Sequence, residues 1–332
     1  MFWDAPGSGT QGAIYGWAPD VAAARPREPS SMLSSTASRL AAFAAGLVLL
    51  GGAAAGVGAA TDATPPFQDC LAVAAAQAGF GNDAMNDAGH GGEPMVEAIP
   101  GADGLRSELA GVTLLPIPRP FTAGGTATWR FKVTDCKGRA LRDFEPENGK
   151  RLHLIVVRSD LTAYQHLHPT LGRDGTWSVR LATPRPGRYR AIADFVVDGR
   201  KYVVGTTLAV PGRGADEPLP APSLRASVDG YDVELQRPAE LVAGEDAQLT
   251  FRLTRRGRPV RDLQPYLGAY GHLVALHAPD LAYSHVHPNG TDRAGGAITF
   301  DTELHARGRY RLFLQFRTGG RVHTVAFTQT VR

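Results

Sequence analysis

The chain has 332 residues, 43% of them hydrophobic, and a formal net charge of +3. That length suffices for two or three domains with cores of their own, and the scattered basic residues, without a basic helix or basic-aromatic patch, argue against a nucleic-acid partner. With 39 Gly, 24 Pro and only two cysteines, Cys70 and Cys136, the composition favours turns and short strands and excludes a Cys-x-x-Cys zinc ribbon or dithiol redox site.

Residues 1–39 are rich in Ala, Gly, Ser and Pro without periodicity and read as disordered. Residues 40–60 carry no charge and are long enough to cross a bilayer. Arg25, Arg27 and Arg39 precede this stretch and Asp62 and Asp69 follow it, so the positive-inside rule puts everything after residue 60 outside. Met32 offers a second start, from which residues 40–60 become the apolar region of a signal peptide and Gly58-Ala59-Ala60 a cleavage site. Anchor and cleaved signal both give an extracytoplasmic protein, the anchor with the membrane as a partner. Residues 61–103 read as a tether, in which Met85, His90 and Met95 are too sparse for a copper-collecting segment. Outside the cytoplasm Cys70 and Cys136 can form one bridge, with two lone thiols as the alternative.

A repeat follows. Residues 104–210 align with 223–331 almost without gaps, and the Pro-rich stretch 211–222 separates the copies. Gly187-Arg188-Tyr189-Arg190 answers Gly308-Arg309-Tyr310-Arg311, and the alternating row Ala127, Trp129, Phe131, Val133 answers Leu249, Phe251, Leu253. About seven short alternating segments per copy, parted by turn signals such as Asp174-Gly175 and Asn289-Gly290, predict an all-β chain of two tandem immunoglobulin-like β-sandwiches. Gly-x-Tyr entering a late strand in both copies predicts a tyrosine corner.

The repeat carries the chemistry as well. Tyr164-Gln165-His166-Leu167-His168-Pro169 and Tyr283-Ser284-His285-Val286-His287-Pro288 share one spelling, each with a further histidine thirteen residues before its first His, at His153 and His272. Side chains alternate along a strand, so Tyr, His and His leave from one face. The turn at Ala278-Pro279-Asp280-Leu281 pairs residues whose numbers sum to 559, which places His272 opposite His287, with His285 diagonal to it. In the first copy the corresponding sum is 321, which places His153 opposite His168. Each set, His153, His166, His168 and His272, His285, His287, is therefore a candidate nitrogen site for copper or zinc. The competing reading is a set of structural histidines satisfied by backbone. His277, His305 and His323 occur only in the second copy, where the first has Arg158, Pro184 and Tyr202. Blue-copper chemistry is excluded for the second copy, which has no cysteine, and no hydrolase or nucleotide motif is present.

Leu263–Leu276, Tyr283–Pro288 and Tyr310–Phe316, with Arg151–Arg158 and Gly175–Val179 in the first half, resemble secreted or membrane-anchored actinobacterial-type proteins designated heavy-metal-binding. The resemblance spans about residues 38 to 331. It implies an extracytoplasmic pair of immunoglobulin-like domains. Together with the histidines it suggests a non-enzymatic protein that buffers, senses or hands metal to an extracytoplasmic metal-handling partner. A structural or adhesive sandwich pair is the alternative, and a His-ligated copper oxidoreductase a third.

Overall fold

The computed structural model describes residues 97–284 and 286–332. The expected disordered segment 1–39, the apolar stretch 40–60, the tether up to residue 96 with Cys70, Met85, His90 and Met95, and His285 lie outside the described residues. Among the described residues all regular structure is strand, and no helix is long and apolar enough to cross a membrane.

The first sandwich opens with β1 (Glu97–Ala98), β2 (Glu108–Leu109), β3 (Val112–Pro116), β4 (Gly125–Thr134) and β5 (His153–Arg158). It continues with β6 (Gln165–Leu167), β7 (Thr170–Leu171), β8 (Thr176–Thr183), β9 (Gly187–Val197) and β10 (Arg200–Val210). The second comprises β11 (Arg225–Val228), β12 (Tyr231–Gln236), β13 (Asp246–Arg255), β14 (Arg258–Pro259) and β15 (Gly271–His277). It is completed by β16 (Tyr283–Ser284), β17 (Val286–Asp292), β18 (Ala297–Glu303), β19 (Gly308–Thr318) and β20 (Arg321–Val331). Sheet orders are β1-β10-β9-β5-β6 and β2-β3-β4-β8-β7 in the first sandwich, β16-β15-β19-β20 and β11-β12-β13-β18-β17 in the second.

Each sandwich closes on its own core. Phe131 faces Trp177 across β4 and β8, and Phe144 meets the Trp177 ring edge-on at 5.0 Å. In the second core Phe251 packs edge-on against Phe300 at 5.9 Å and touches Phe327. Both expected tyrosine corners form: Tyr189 Oη donates to the Arg185 carbonyl at 2.8 Å, and Tyr310 Oη accepts from the Ala306 amide at 3.1 Å. Tyr189→Phe is expected to cost about 0.5–1.5 kcal/mol, the net worth of one such bond, read as a lowered urea midpoint with unchanged slope.

The first sandwich starts earlier than the sequence suggested. β1 pairs in parallel with β10, and the Asp103 carbonyl accepts from the Tyr283 amide at 2.8 Å. Residues 97–103, read above as the end of a tether, are therefore tied into the folded part by backbone hydrogen bonds. Cys136 is disulfide-bonded.

The two sandwiches also share a third apolar cluster. Ile155, Val157, Leu161, Ile192 and Val203 of the first pack with Val274, Leu276, Tyr283 and Phe313 of the second, all buried. Tyr164 stacks on Phe313 with ring centroids 4.0 Å apart, and Tyr283 Oη donates to Asp194 Oδ2 at 2.9 Å. The cause is visible in the strands. Val233, Leu235, Leu249 and Phe251 alternate with exposed or half-buried residues, as outer-sheet strands should, whereas His153–Arg158 is buried at every position. A strand covered on both faces cannot alternate. The spacer is fixed too: Arg158, almost fully buried, donates to the Ala215 carbonyl at 3.2 Å and pairs with Asp216 at 3.0 Å.

Candidate metal centre

The Tyr-x-His-x-His-Pro segments are where the chain leaves one sheet of a sandwich for the other. In the first copy β6 pairs with β5, Ile155 opposite His166 and Leu154 opposite Leu167, the register in which numbers sum to 321. The next strand, β7, pairs with β8 in the opposite sheet. In the second copy the expected sum of 559 appears as Ala275 opposite Ser284 and Leu276 opposite Tyr283. Past residue 285 the strand β17 joins the other sheet, with Val286 opposite Thr302 and His287 opposite Asp301. The expected facing pair of His272 and His287 does not form in the ladder, because the strand has already crossed to the other sheet. The proline after each second His has no amide hydrogen to extend a ladder.

Leu154 and Val156 belong to the core of the first sandwich, and Ile155 and Val157 to the shared cluster. His153, His166 and His168 therefore sit on the side of the first sandwich that meets the second. Their rings lie 4.9–5.2 Å apart, and one nitrogen from each falls within 4.8 Å of the others. His272, from the second sandwich, has its ring 6.1 Å from that of His166. The structure thus brings four of the six sequence-named histidines to one place. His285 lies outside the described residues, and for His287 only the backbone pairing is described.

Backbone carbonyls fix which nitrogen carries a proton in His153 and His272. A carbonyl only accepts, so His153 Nε2, 2.9 Å from the Glu147 carbonyl, is the protonated nitrogen. His166 Nδ1 lies 2.8 Å from Gln315 Oε1 and donates to it in the amide orientation whose nitrogen donates to Thr324 Oγ1 at 3.1 Å; the amide turned over would donate to Nδ1 and accept from the threonine hydroxyl. In the first of these orientations His153 Nδ1 and His166 Nε2 are both lone-pair nitrogens in the neutral rings, and they face each other at 3.0 Å. His168 Nε2 is buried without a hydrogen-bond partner among the described residues. His272 Nε2 donates to the Tyr266 carbonyl at 2.6 Å, leaving Nδ1 as its lone-pair nitrogen.

Burial holds His166 and His168 down at about 3, helped by neighbouring histidines, and lowers His272. The sign follows directly. Between pH 6.5 and about 3 the unfolded chain takes up protons that the folded rings refuse, so stability falls as pH falls. His166 alone contributes a slope of about 1.4 kcal/mol per pH unit in that window, and half-exposed His168 less. With chelator present, the urea midpoint is expected to drop steadily from pH 6.5 to 4. A flat profile would contradict the buried, neutral cluster.

The histidines found in the second copy alone are used otherwise. His277 occupies the place of Arg158, its Nδ1 bonded to Asp280 at 2.7 Å and its Nε2 donating to the Arg307 carbonyl at 3.1 Å. His323 bridges Asp229 and Thr318 at 2.7 and 3.0 Å, and exposed His305 meets Glu303. Sequence reasoning missed Gln315 and Tyr266, which hold His166 and His272. Gln315 lies opposite His272 across β15 and β19, one pair from the buried Leu273–Leu314 pair.

Two mainly antiparallel sheets per copy, a tyrosine corner in each and a near-gapless repeat define a tandem pair of immunoglobulin-like sandwiches. The chain belongs to the family described as Domain of unknown function (DUF8832), whose model matches residues 108–212 and 226–332. The two matches coincide with the two copies of the repeat. The heavy-metal-binding designation expected from the sequence resemblance is not part of that description. No curated protein matches the chain. Similar solved structures include the Escherichia coli adhesin FdeC, at 16% identity and TM-score 0.23, covering 67% of this chain and 64% of that one. Invasin, a bacterial integrin-binding protein, matches at 16% identity and TM-score 0.20, over 65% of this chain and 39% of its own. Domains 4 and 5 of the S-layer protein SbsC match at 12% identity and TM-score 0.21, over 46% and 68%.

Proposed function

We propose that this chain is a non-catalytic, extracytoplasmic sandwich pair that holds a transition-metal ion on His153, His166 and His168. The observation that carries the reading is the 3.0 Å approach of His153 Nδ1 and His166 Nε2, both lone-pair nitrogens when His166 Nδ1 donates to Gln315. Two lone pairs at that distance repel unless a cation or a proton lies between them; burial disfavours a charged His166, so the arrangement that competes with a cation is the neutral one in which the Gln315 amide is turned over and His166 Nε2–H donates to His153 Nδ1. Two nitrogens each 2.0–2.1 Å from one tetrahedral ion stand about 3.3 Å apart, close to the observed spacing. The outer bonds to the Glu147 carbonyl and Gln315 are of the kind that orient metal-binding imidazoles. Neutral imidazoles suit zinc or copper, and the affinity order favours copper. An oxidising compartment is supported by the disulfide at Cys136, since such bonds are rare in reducing cytosol. Buffering, sensing or transfer of the metal are the roles this arrangement serves.

A second reading has an observation of its own. His153 and His166 each have both ring nitrogens within hydrogen-bond reach of a partner, and the shared apolar cluster joins the sandwiches without an ion. The pair is then purely structural or adhesive, with a proton between the two rings. Competition of the metal-stripped full chain against a chromophoric zinc or copper chelator separates the readings. Uptake at micromolar metal or below is expected; no uptake of either metal leaves the structural reading.

A further inference from the structure

We infer that the duplicated motifs build one shared metal site rather than two, completed from the second sandwich by His272, so that the bound ion ties the two sandwiches together. This rests on the metal-binding reading above.

The argument starts from position. The His153, His166 and His168 rings face the second sandwich, and His272 is the second-copy counterpart of His153 on the facing sheet, its ring 6.1 Å from His166. Both copies thus present the same strand position to the same interface, and the two positions meet. His272 has its proton fixed on Nε2 by the Tyr266 carbonyl, which leaves Nδ1 to bind an ion. That is the same division of labour found at His153, where Nε2 is held by the Glu147 carbonyl six residues upstream. In both copies the spacing between carbonyl and histidine is six, so the repeat has duplicated the supporting bond along with the ligand.

The second sandwich already reaches into the cluster a second way. Gln315, the ladder partner of His272, lies within hydrogen-bond distance of His166 Nδ1 at 2.8 Å. A second-sandwich side chain therefore touches the ring of a first-sandwich ligand directly. A separate, equivalent second site would need the second motif to repeat the hairpin of the first. Instead, where Leu167 of the first motif still pairs with Leu154, its counterpart Val286 pairs with Thr302 in the opposite sheet, and His287 follows it opposite Asp301. His272 stands just outside the group of three whose nitrogens lie within 4.8 Å of one another, so a ring movement on binding would complete the four-coordinate set that zinc prefers when it has a structural role.

The test is zinc titration of the metal-stripped full chain by calorimetry, alongside His272→Gln and His166→Ala. Glutamine keeps an amide donor for the Tyr266 carbonyl but offers no imidazole nitrogen, and circular dichroism checks that the variant remains folded. One zinc per chain is expected, with His272→Gln weakening it at least about 10-fold. The metal-induced rise in melting temperature should shrink in parallel. Two tight zinc ions per chain, or one ion whose affinity ignores His272→Gln, would overturn the shared site while leaving metal binding intact. No zinc bound by the parent chain, with copper equally ignored, would instead overturn the metal-binding reading and this inference with it.

Discussion

The His166→Ala, His168→Ala double variant is expected to lose essentially all zinc and copper binding while keeping both sandwiches folded. Changing a residue that merely supports a metal-bound histidine costs about 10–100-fold in affinity. Removing two of the imidazoles that touch the ion should therefore cost well over 100-fold. The fold should survive, because neither ring belongs to a sandwich core: those cores are built from Trp129, Phe131 and Trp177 in one copy and Phe251, Phe300 and Phe316 in the other. Chelator competition reads the affinity and far-ultraviolet circular dichroism reads the fold. An affinity within a few-fold of the parent would remove this cluster from consideration.

The second large effect is expected at the interface. Leu276→Asp places a carboxylate where the parent side chain is fully buried between the sandwiches, in the cluster with Ile155, Val157 and Phe313. An uncompensated buried charge costs about 3–5 kcal/mol, a large share of the 5–15 kcal/mol that holds a typical domain together. The urea transition is expected to split or move sharply to lower denaturant. A shift below about 1 kcal/mol would mean that the sandwiches do not depend on packing against each other. The same reasoning applies to cutting the spacer 211–222. Each half has a core of its own, but separation would bare the shared apolar surface, so the halves are expected to remain associated on size exclusion.

Much of this was legible in the residues. The repeat, the alternating outer strands and the tyrosine corners followed from period-two patterns and Gly-x-Tyr, which depend on local sequence. The described hairpin pairs have the expected sums of 321 and 559, although the second loop closes by the Leu281 amide donating to the His277 carbonyl and not across Ala278 and Leu281. What local pattern could not supply was the interface. Its signal was present: Leu154-Ile155-Val156-Val157 and Leu273-Val274-Ala275-Leu276 do not alternate, and unbroken apolar runs mark strands covered on both faces. Reading each copy as an independent sandwich leaves no cover for Ile155, Val157, Val274 and Leu276. The meeting of His272 with His166 was hidden for the same reason, since it depends on how two separately folded sheets face each other. Gln315 and Tyr266 carried no motif at all; their part is set by ladder position and by a backbone carbonyl.

The most direct test of the account is X-ray absorption at the zinc edge on the full chain loaded with one equivalent of zinc and dialysed. The account predicts retained zinc with a first shell of imidazole nitrogens at 2.0–2.1 Å, reduced in the His166→Ala, His168→Ala variant. Zinc lost on dialysis, or held in an oxygen-only shell unchanged in that variant, would contradict it.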